Sequence, residues 1–278
     1  MPVALSTARP PAGHPAAGLH PAPDGADGRF APLDGILRRA LRGLRDGLEQ
    51  DRLAFLEEYG EIWAAVGASA PGGGRTRLDW ARMNQILRFA DAMLGDGIEG
   101  DFAEFGVWKG GVCYGVAKRW GGGRGHGRAS EPLRRVLGFD SFQGVPAPDE
   151  LRDGTFKAGL FGDVDLAEVR GFMEAGGVGG VGGQVELIEG WFADTIGAID
   201  GRRLALCHID ADCYESVKLA LERAWPRMTP GGYVVFDDYL AQMCAGATIA
   251  VEEFFARRRE KPRMTPGLAC SAWVRKEA

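Results

Sequence analysis

Five short apolar runs, separated by segments of helical periodicity, set the strongest limit on how this chain folds. The runs are "GDFAEFGV", "RRVLGFDSF", "QVELIEG", "LALCHID" and "YVVFDDY". Apolar runs of this length read as strands buried on both faces. Between them, "GGVCYGVAKRW", the stretch Leu166–Met173 and "YESVKLALERAWPRM" carry apolar residues at helical spacing. Strands alternating with helices predict a parallel, doubly wound sheet, an α/β fold. "TPGG" reads as the turn before the fifth strand, "GATIAVEEFFARRR" as a last helix and "ACSAWVRK" as a C-terminal strand.

Ahead of this pattern, residues 1–31 are rich in Pro, Ala and Gly without periodicity and read as a disordered tail. Residues 32–96 read as an N-terminal helical region. There Ile36, Leu37, Leu41, Leu44, Leu48, Leu53, Phe55, Leu56 and Trp63 recur at the spacing of one or two amphipathic helices. A further helix, "DWARMNQILRFADAML", has Asp79 as its N-cap. Residues 97–278 hold the alternating pattern, with glycine-rich surface loops at Gly121–Gly127 and Gly176–Gly183.

Composition removes several classes of function. A net charge of −5 argues against nucleic acid or an anionic membrane as partner. No apolar run approaches the roughly 20 residues that span a bilayer, and no signal peptide is read at the N-terminus. The five cysteines are scattered and form no CxxC pair, so neither a disulfide framework nor a zinc ribbon is expected. A cytoplasmic protein fits best. Of four histidines, His14 and His20 fall in the tail and His126 in a glycine-rich loop, which leaves His208 in an ordered-looking segment.

In an open α/β sheet, ligands bind beyond the carboxyl ends of the strands. The first strand ends in "EFGVWKGG", Glu104 to Gly111, and the second in "FDSFQG", with Asp140 at its tip. A glycine turn followed by an acidic residue at the next strand end suits a nucleoside cofactor, whose ribose hydroxyls a carboxylate accepts. The turn does not match GxGxxG, and Glu104 would repel a pyrophosphate. That favours a cofactor with a cationic or zwitterionic tail, such as S-adenosylmethionine. Trp191, after the third strand, either stacks on a purine or is a core residue.

The fourth strand ends in "HIDAD" and the fifth in "FDDY". If these strands are neighbours, Asp210, Asp237 and Asp238 converge on one rim with no Lys or Arg nearby in sequence. Carboxylates that close need compensation, and a hard divalent cation such as magnesium, calcium or manganese supplies it through oxygen ligands.

Together "EFGVWKGG", "FDSFQGVP", "EGWFADT", "HIDADCYES", "LERAWPRMTPGGYVVFDDY" and the final "AWVRK" closely resemble the macrocin O-methyltransferase (TylF) family. Its members are S-adenosylmethionine-dependent enzymes that methylate sugar hydroxyls on natural products. The resemblance runs from about Asp79 to Lys276. It implies a class I methyltransferase fold with helical N-terminal additions that build a substrate lid, a bound magnesium, a small-molecule acceptor, usually glycosidic, and a homodimer. It places the metal triad on Asp210, Asp237 and Asp238. Cofactor contacts fall on Glu104, Gly106, Gly110, Asp140, Ser141, Phe142, Gly190 and Trp191.

Methyl transfer to a hydroxyl needs a base. Catechol O-methyltransferases place a lysine three residues after the first metal ligand, and here that position is Cys213. Asp210 is the first choice for the base, with Asp212 and His208 behind it. Asp212 also fits as the cap of the helix beginning near Tyr214, and His208 as a hydrogen-bonded strand residue. Two rival readings remain. One takes Asp210–Asp212 as the DxD motif of a glycosyltransferase, which leaves Asp237 and Asp238 without a role; the other is a cofactor-binding protein without turnover.

Overall fold

The computed structural model describes residues 31–70, 73–121, 133–154, 156–265, 268 and 270–278. Among these residues seven strands form one sheet: β1 (Asp101–Phe105), β2 (Val136–Asp140), β3 (Val185–Glu189), β4 (Leu204–Ile209), β5 (Met228–Phe236), β6 (Arg263–Met264) and β7 (Ala272–Arg275). Their order is β3-β2-β1-β4-β5-β7-β6. The first five are parallel; β7 runs antiparallel to β5, and β6 antiparallel to β7. This is the expected doubly wound α/β architecture, with two antiparallel strands finishing one edge.

The helices are α1 (Ala31–Val66), α2 (Trp80–Gly95), α3 (Gly111–Gly121), α4 (Leu166–Ala175), α5 (Phe192–Thr195), α6 (Tyr214–Ala224) and α7 (Ala245–Phe255). Successive strand residues serve opposite faces. Ala103, Phe105, Cys207, Ile209, Val234 and Phe236 pack with α6 and α7 residues such as Leu221 and Val251. Phe102, Leu206 and Val235 pack on the other face with α2 and α3 residues such as Met83, Leu87 and Val116. Every residue of β4 is buried, as a central parallel strand requires.

The chain divides into two compact units, Met1–Glu49 and Gln50–Ala278. The tail expected over 1–31 lies outside the described residues except for Ala31, which opens α1. The periodicity from Ile36 to Trp63 is one continuous helix. Its part in the first unit exposes Ile36, Leu37, Leu41, Leu44 and Leu48; its part in the second buries Phe55, Tyr59, Ile62 and Val66. None of the helices among the described residues is long and apolar enough to cross a membrane.

Two expectations change. "TPGG" is not a turn before the fifth strand but lies within β5. The pairing with β4 shifts register between Leu204 and Leu206, and Gly231 takes φ +91° there, so a bulge absorbs the residues that look like a turn. "EGWFADT" hides α5, a single helical turn too short to show periodicity.

The two halves of α1 predict opposite responses to truncation. Phe55→Ala is expected to cost about 3–5 kcal/mol of unfolding free energy, and Leu41→Ala, at a position 56% exposed, less than about 0.5 kcal/mol. Urea denaturation of both variants makes the comparison.

Candidate active site

A cavity of about 490 Å³ opens at the carboxyl ends of the parallel strands. Its first wall is the loop after β1. Gly106 has φ +98°, and a Cβ there would sit 1.8 Å from the Asp210 carbonyl oxygen. The loops leaving β1 and β4 pass so closely that only glycine fits. Gly110 has φ +86°, and its missing side chain leaves room for the Met173 methyl group.

Asp140, at the tip of β2, gathers this wall. Its Oδ2 accepts from the Val107 and Trp108 amides, both at 2.8 Å, and its Oδ1 accepts from the Phe142 amide at 2.7 Å. Ser141 Oγ accepts from the Gln143 amide and donates to the Gly144 carbonyl. Of the eight residues expected at a cofactor, Glu104, Gly106, Asp140, Ser141 and Trp191 line the cavity. Gly110, Phe142 and Gly190 do not; they shape the turns behind it, where the Gly190 amide donates to the Asp140 carbonyl. Trp191 is 37% exposed and so is not a core tryptophan.

Glu104 and His208 are register partners on β1 and β4, and both are buried. Glu104 Oε1 lies 3.1 Å from His208 Nδ1, and its Oε2 accepts from the Cys113 amide at the start of α3. His208 does not line the cavity, and its Nε2 has no partner among the described residues.

The other end of the cavity is acidic. Because β4 and β5 are parallel neighbours with Ile209 opposite Phe236, the next residues of both strands come together. Asp210, Asp237 and Asp238 each offer an oxygen within 4.8 Å of the others. Burial pushes the Asp210 carboxyl well above the usual carboxylate range, and the charges of Asp237 and Asp238 add to the push. Burial also raises Asp237, to about 6, against the opposing pull of His208 and Arg82. Asp238 is raised by burial as well, partly offset by a hydrogen bond from Cys244. Such a set fits a hard cation: oxygen donors only, buried at Asp237 and half-buried at Asp210 and Asp238, and mutually repelling.

The rim is not without a cation, as it looked from sequence neighbours alone. Arg82, 155 residues away on α2, donates from Nη1 to Asp237 Oδ2 at 2.6 Å. Nothing in the one-dimensional pattern of "DWARMNQIL" marks it, because its partner is reached only across the packed α2.

Asp212 also lines the cavity, and it does not cap α6. It sits at φ +56°, its amide donates to Asp238 Oδ2, and the cap residue is Cys213, without a side-chain cap bond. Asp153, 1% exposed, does the capping instead. Its Oδ1 accepts from the Tyr214 amide at 2.7 Å and its Oδ2 from the Asp149 amide at 2.7 Å. Burial and the neighbouring Asp238 push the Asp212 carboxyl up to about 7. A second cluster, Asp212, Asp238 and Cys244, shares the rim.

Asp153→Ala should therefore lower stability by about 1–3 kcal/mol, since it strands the buried Tyr214 amide and the part-buried Asp149 amide. Asp212→Ala should leave the α6 cap intact. Thermal unfolding of the two variants separates the assignments.

A model of the macrocin O-methyltransferase (TylF) family matches residues 45–274. The chain is 34% identical over 189 residues to the 8-demethyl-8-(2,3-dimethoxy-alpha-L-rhamnosyl)-tetracenomycin-C 4'-O-methyltransferase of Streptomyces olivaceus, covering 66% of this chain and 69% of that one. It is 31% identical over 205 residues to the mycinamicin III 3''-O-methyltransferase of Micromonospora griseorubida, covering 70% and 75%. Among solved structures, the O-methyltransferase NovP superposes with a TM-score of 0.59 at 26% identity, over 75% of this chain and 85% of that one. The match along most of its length shows that this chain belongs to the TylF macrocin O-methyltransferase family, and that it is an O-methyltransferase of class I fold.

Proposed function

We propose that the protein transfers a methyl group from S-adenosylmethionine to a sugar hydroxyl of a glycosylated small molecule, with a divalent cation, magnesium first, held by Asp210, Asp237 and Asp238. The observation that carries this reading is one cavity with two ends. One end is framed by Gly106, Asp140 and Trp191, and the other gathers the carboxylates Asp210, Asp212, Asp237 and Asp238, with Arg82 paired to Asp237. The relatives support it, since one bears a name that specifies O-methylation of a rhamnosyl-tetracenomycin and another that of mycinamicin III.

The cofactor, when bound, supplies an electrophilic methyl group on a sulfonium. The cation, when bound, supplies positive charge that lowers the pKa of a hydroxyl. The rest falls to this chain. Asp140 holds the Val107–Trp108 backbone and presents its carboxylate to the cavity, where ribose hydroxyls would donate. Gly106 lets the β1 and β4 loops come together at the wall against which the cofactor would lie. Arg82 fixes Asp237 and offsets part of the negative charge on the rim.

The reaction breaks a C–S bond, forms a C–O bond and releases a thioether, and the hydroxyl proton passes to a side chain. Of the three candidate bases, His208 is shut away from the cavity, while Asp210 and Asp212 line it. Asp210 belongs to the cluster made of carboxylates alone and would be engaged by the cation. Asp212 stands beside it with no capping duty, so Asp212 takes the proton and Asp210 holds the ion. The glycosyltransferase and non-catalytic readings lose their ground to the family match.

Three measurements test this. Calorimetry with S-adenosylhomocysteine should show Asp140→Ala binding at least about tenfold more weakly, the effect of one lost charge-assisted hydrogen bond; unchanged affinity would remove Asp140 from the cofactor site. A chelator should abolish methyl transfer and leave S-adenosylhomocysteine binding intact, with magnesium restoring activity and Asp237→Asn defeating the rescue. With magnesium present, Asp212→Asn should lower kcat by about 10²–10⁴-fold. Full turnover in excess chelator would refute the cation, and full turnover of Asp212→Asn would refute the base.

A further inference from the structure

Among the described residues, three arginines line the cavity: Arg75, Arg77 and Arg82. Two are already committed. Arg75 Nη1 donates to Glu168 Oε1 at 2.6 Å, and Arg82 Nη1 to Asp237. Arg77 has no carboxylate partner among the described residues. Its guanidinium instead lies over two aromatic rings of the cavity wall, Phe161 at 4.6 Å and Trp108 at 5.5 Å. Ring faces hold a guanidinium in place without using its N–H donors.

The backbone that carries Arg77 is also fixed. Thr76 Oγ1, buried, accepts from the Leu78 amide, Asp79 caps α2, and the Arg77 carbonyl accepts from Arg82 Nη2 at 3.2 Å. The arginine that holds the rim carboxylate Asp237 therefore also holds Arg77, which ties its position to the acceptor end. Its charge reaches Asp212, where it opposes the upward push on that carboxyl.

Most of the acidic groups of the cavity, by contrast, are spoken for. Glu104 is bonded to the Cys113 amide and paired with His208, Asp140 holds three amides, Asp237 pairs with Arg82, and Asp210 and Asp238 complete the cation set. There remains Arg77, an exposed residue of the cavity wall whose guanidinium rests on two rings and has no carboxylate hydrogen-bonded to it among the described residues. A planar fork of this kind matches the paired oxygens of a carboxylate or phosphate.

We propose that the acceptor is an acidic sugar, one bearing a phosphate ester or a carboxylate, and that Arg77 binds that anionic group while the hydroxyl to be methylated faces Asp212. The proposal rests on the methyl-transfer reading above and names the substrate class of the same site.

The test uses the full chain with magnesium and saturating S-adenosylhomocysteine. It is titrated calorimetrically with methyl glucoside, methyl glucuronide, glucose 1-phosphate and UDP-glucose. One or more of the acidic sugars should bind at least about tenfold more tightly than the neutral glucoside, the size of one charge-assisted contact. Which of them binds tells carboxylate from phosphate ester and a bare phosphate from a nucleotide. Arg77→Gln should erase that preference, Arg77→Lys should keep part of it, and added salt should weaken it.

Equal binding of neutral and acidic sugars, loss of both alike in Arg77→Gln, or no binding of any acidic sugar would overturn the proposal. Failure of S-adenosylhomocysteine to bind at all would instead strike the methyl-transfer reading, so the two failures are distinguishable.

Discussion

The site depends on one piece of strand geometry, the parallel pairing of β4 with β5. With Ile209 opposite Phe236, the next residues along both strands must meet: Asp210 on one side and Asp237–Asp238 on the other. Like charges brought that close in a buried place repel, and burial itself disfavours their ionised forms. The fold answers part of this with Arg82. The remainder leaves a set of hard oxygens suited to a cation.

At the cofactor end the same logic works through the backbone. Asp140 is a strand-tip carboxylate, and three amides of the neighbouring turns converge on it. It therefore orders the wall that a nucleoside would lie against, and it can do so only because Gly106 lets the β1 loop fold flat onto Asp210. Asp153 does the equivalent for α6, reaching 61 residues along the chain to cap the helix that comes after Asp212. The loop after β1 and the start of α6 are thus each held by a carboxylate from another loop, so that altering one is expected to disturb its neighbour.

Much of this was legible beforehand. The strand–helix alternation pointed to the parallel sheet, and the acidic tips of β2, β4 and β5 marked the rim, because period and polarity are local properties that survive in one dimension. The bulge in β5 was not legible, since "TPGG" has the composition of a turn and only pairing with β4 keeps it extended. Nor was Asp212 as a non-capping residue: Asx capping is a local preference, and it lost to a distant carboxylate already seated on the Tyr214 amide.

The sequence by itself determined the fold class, the family resemblance and the residue types at the strand ends, all of which are written in short-range pattern. Tertiary structure decided which charges meet. Arg82 joins Asp237, His208 is sealed behind Glu104, and Arg77 rests on its aromatic shelf without a carboxylate partner among the described residues. These outcomes turn on distances of a few ångströms between residues separated by up to 155 positions, and electrostatic energy at that range depends on spatial separation and burial, which sequence order does not contain.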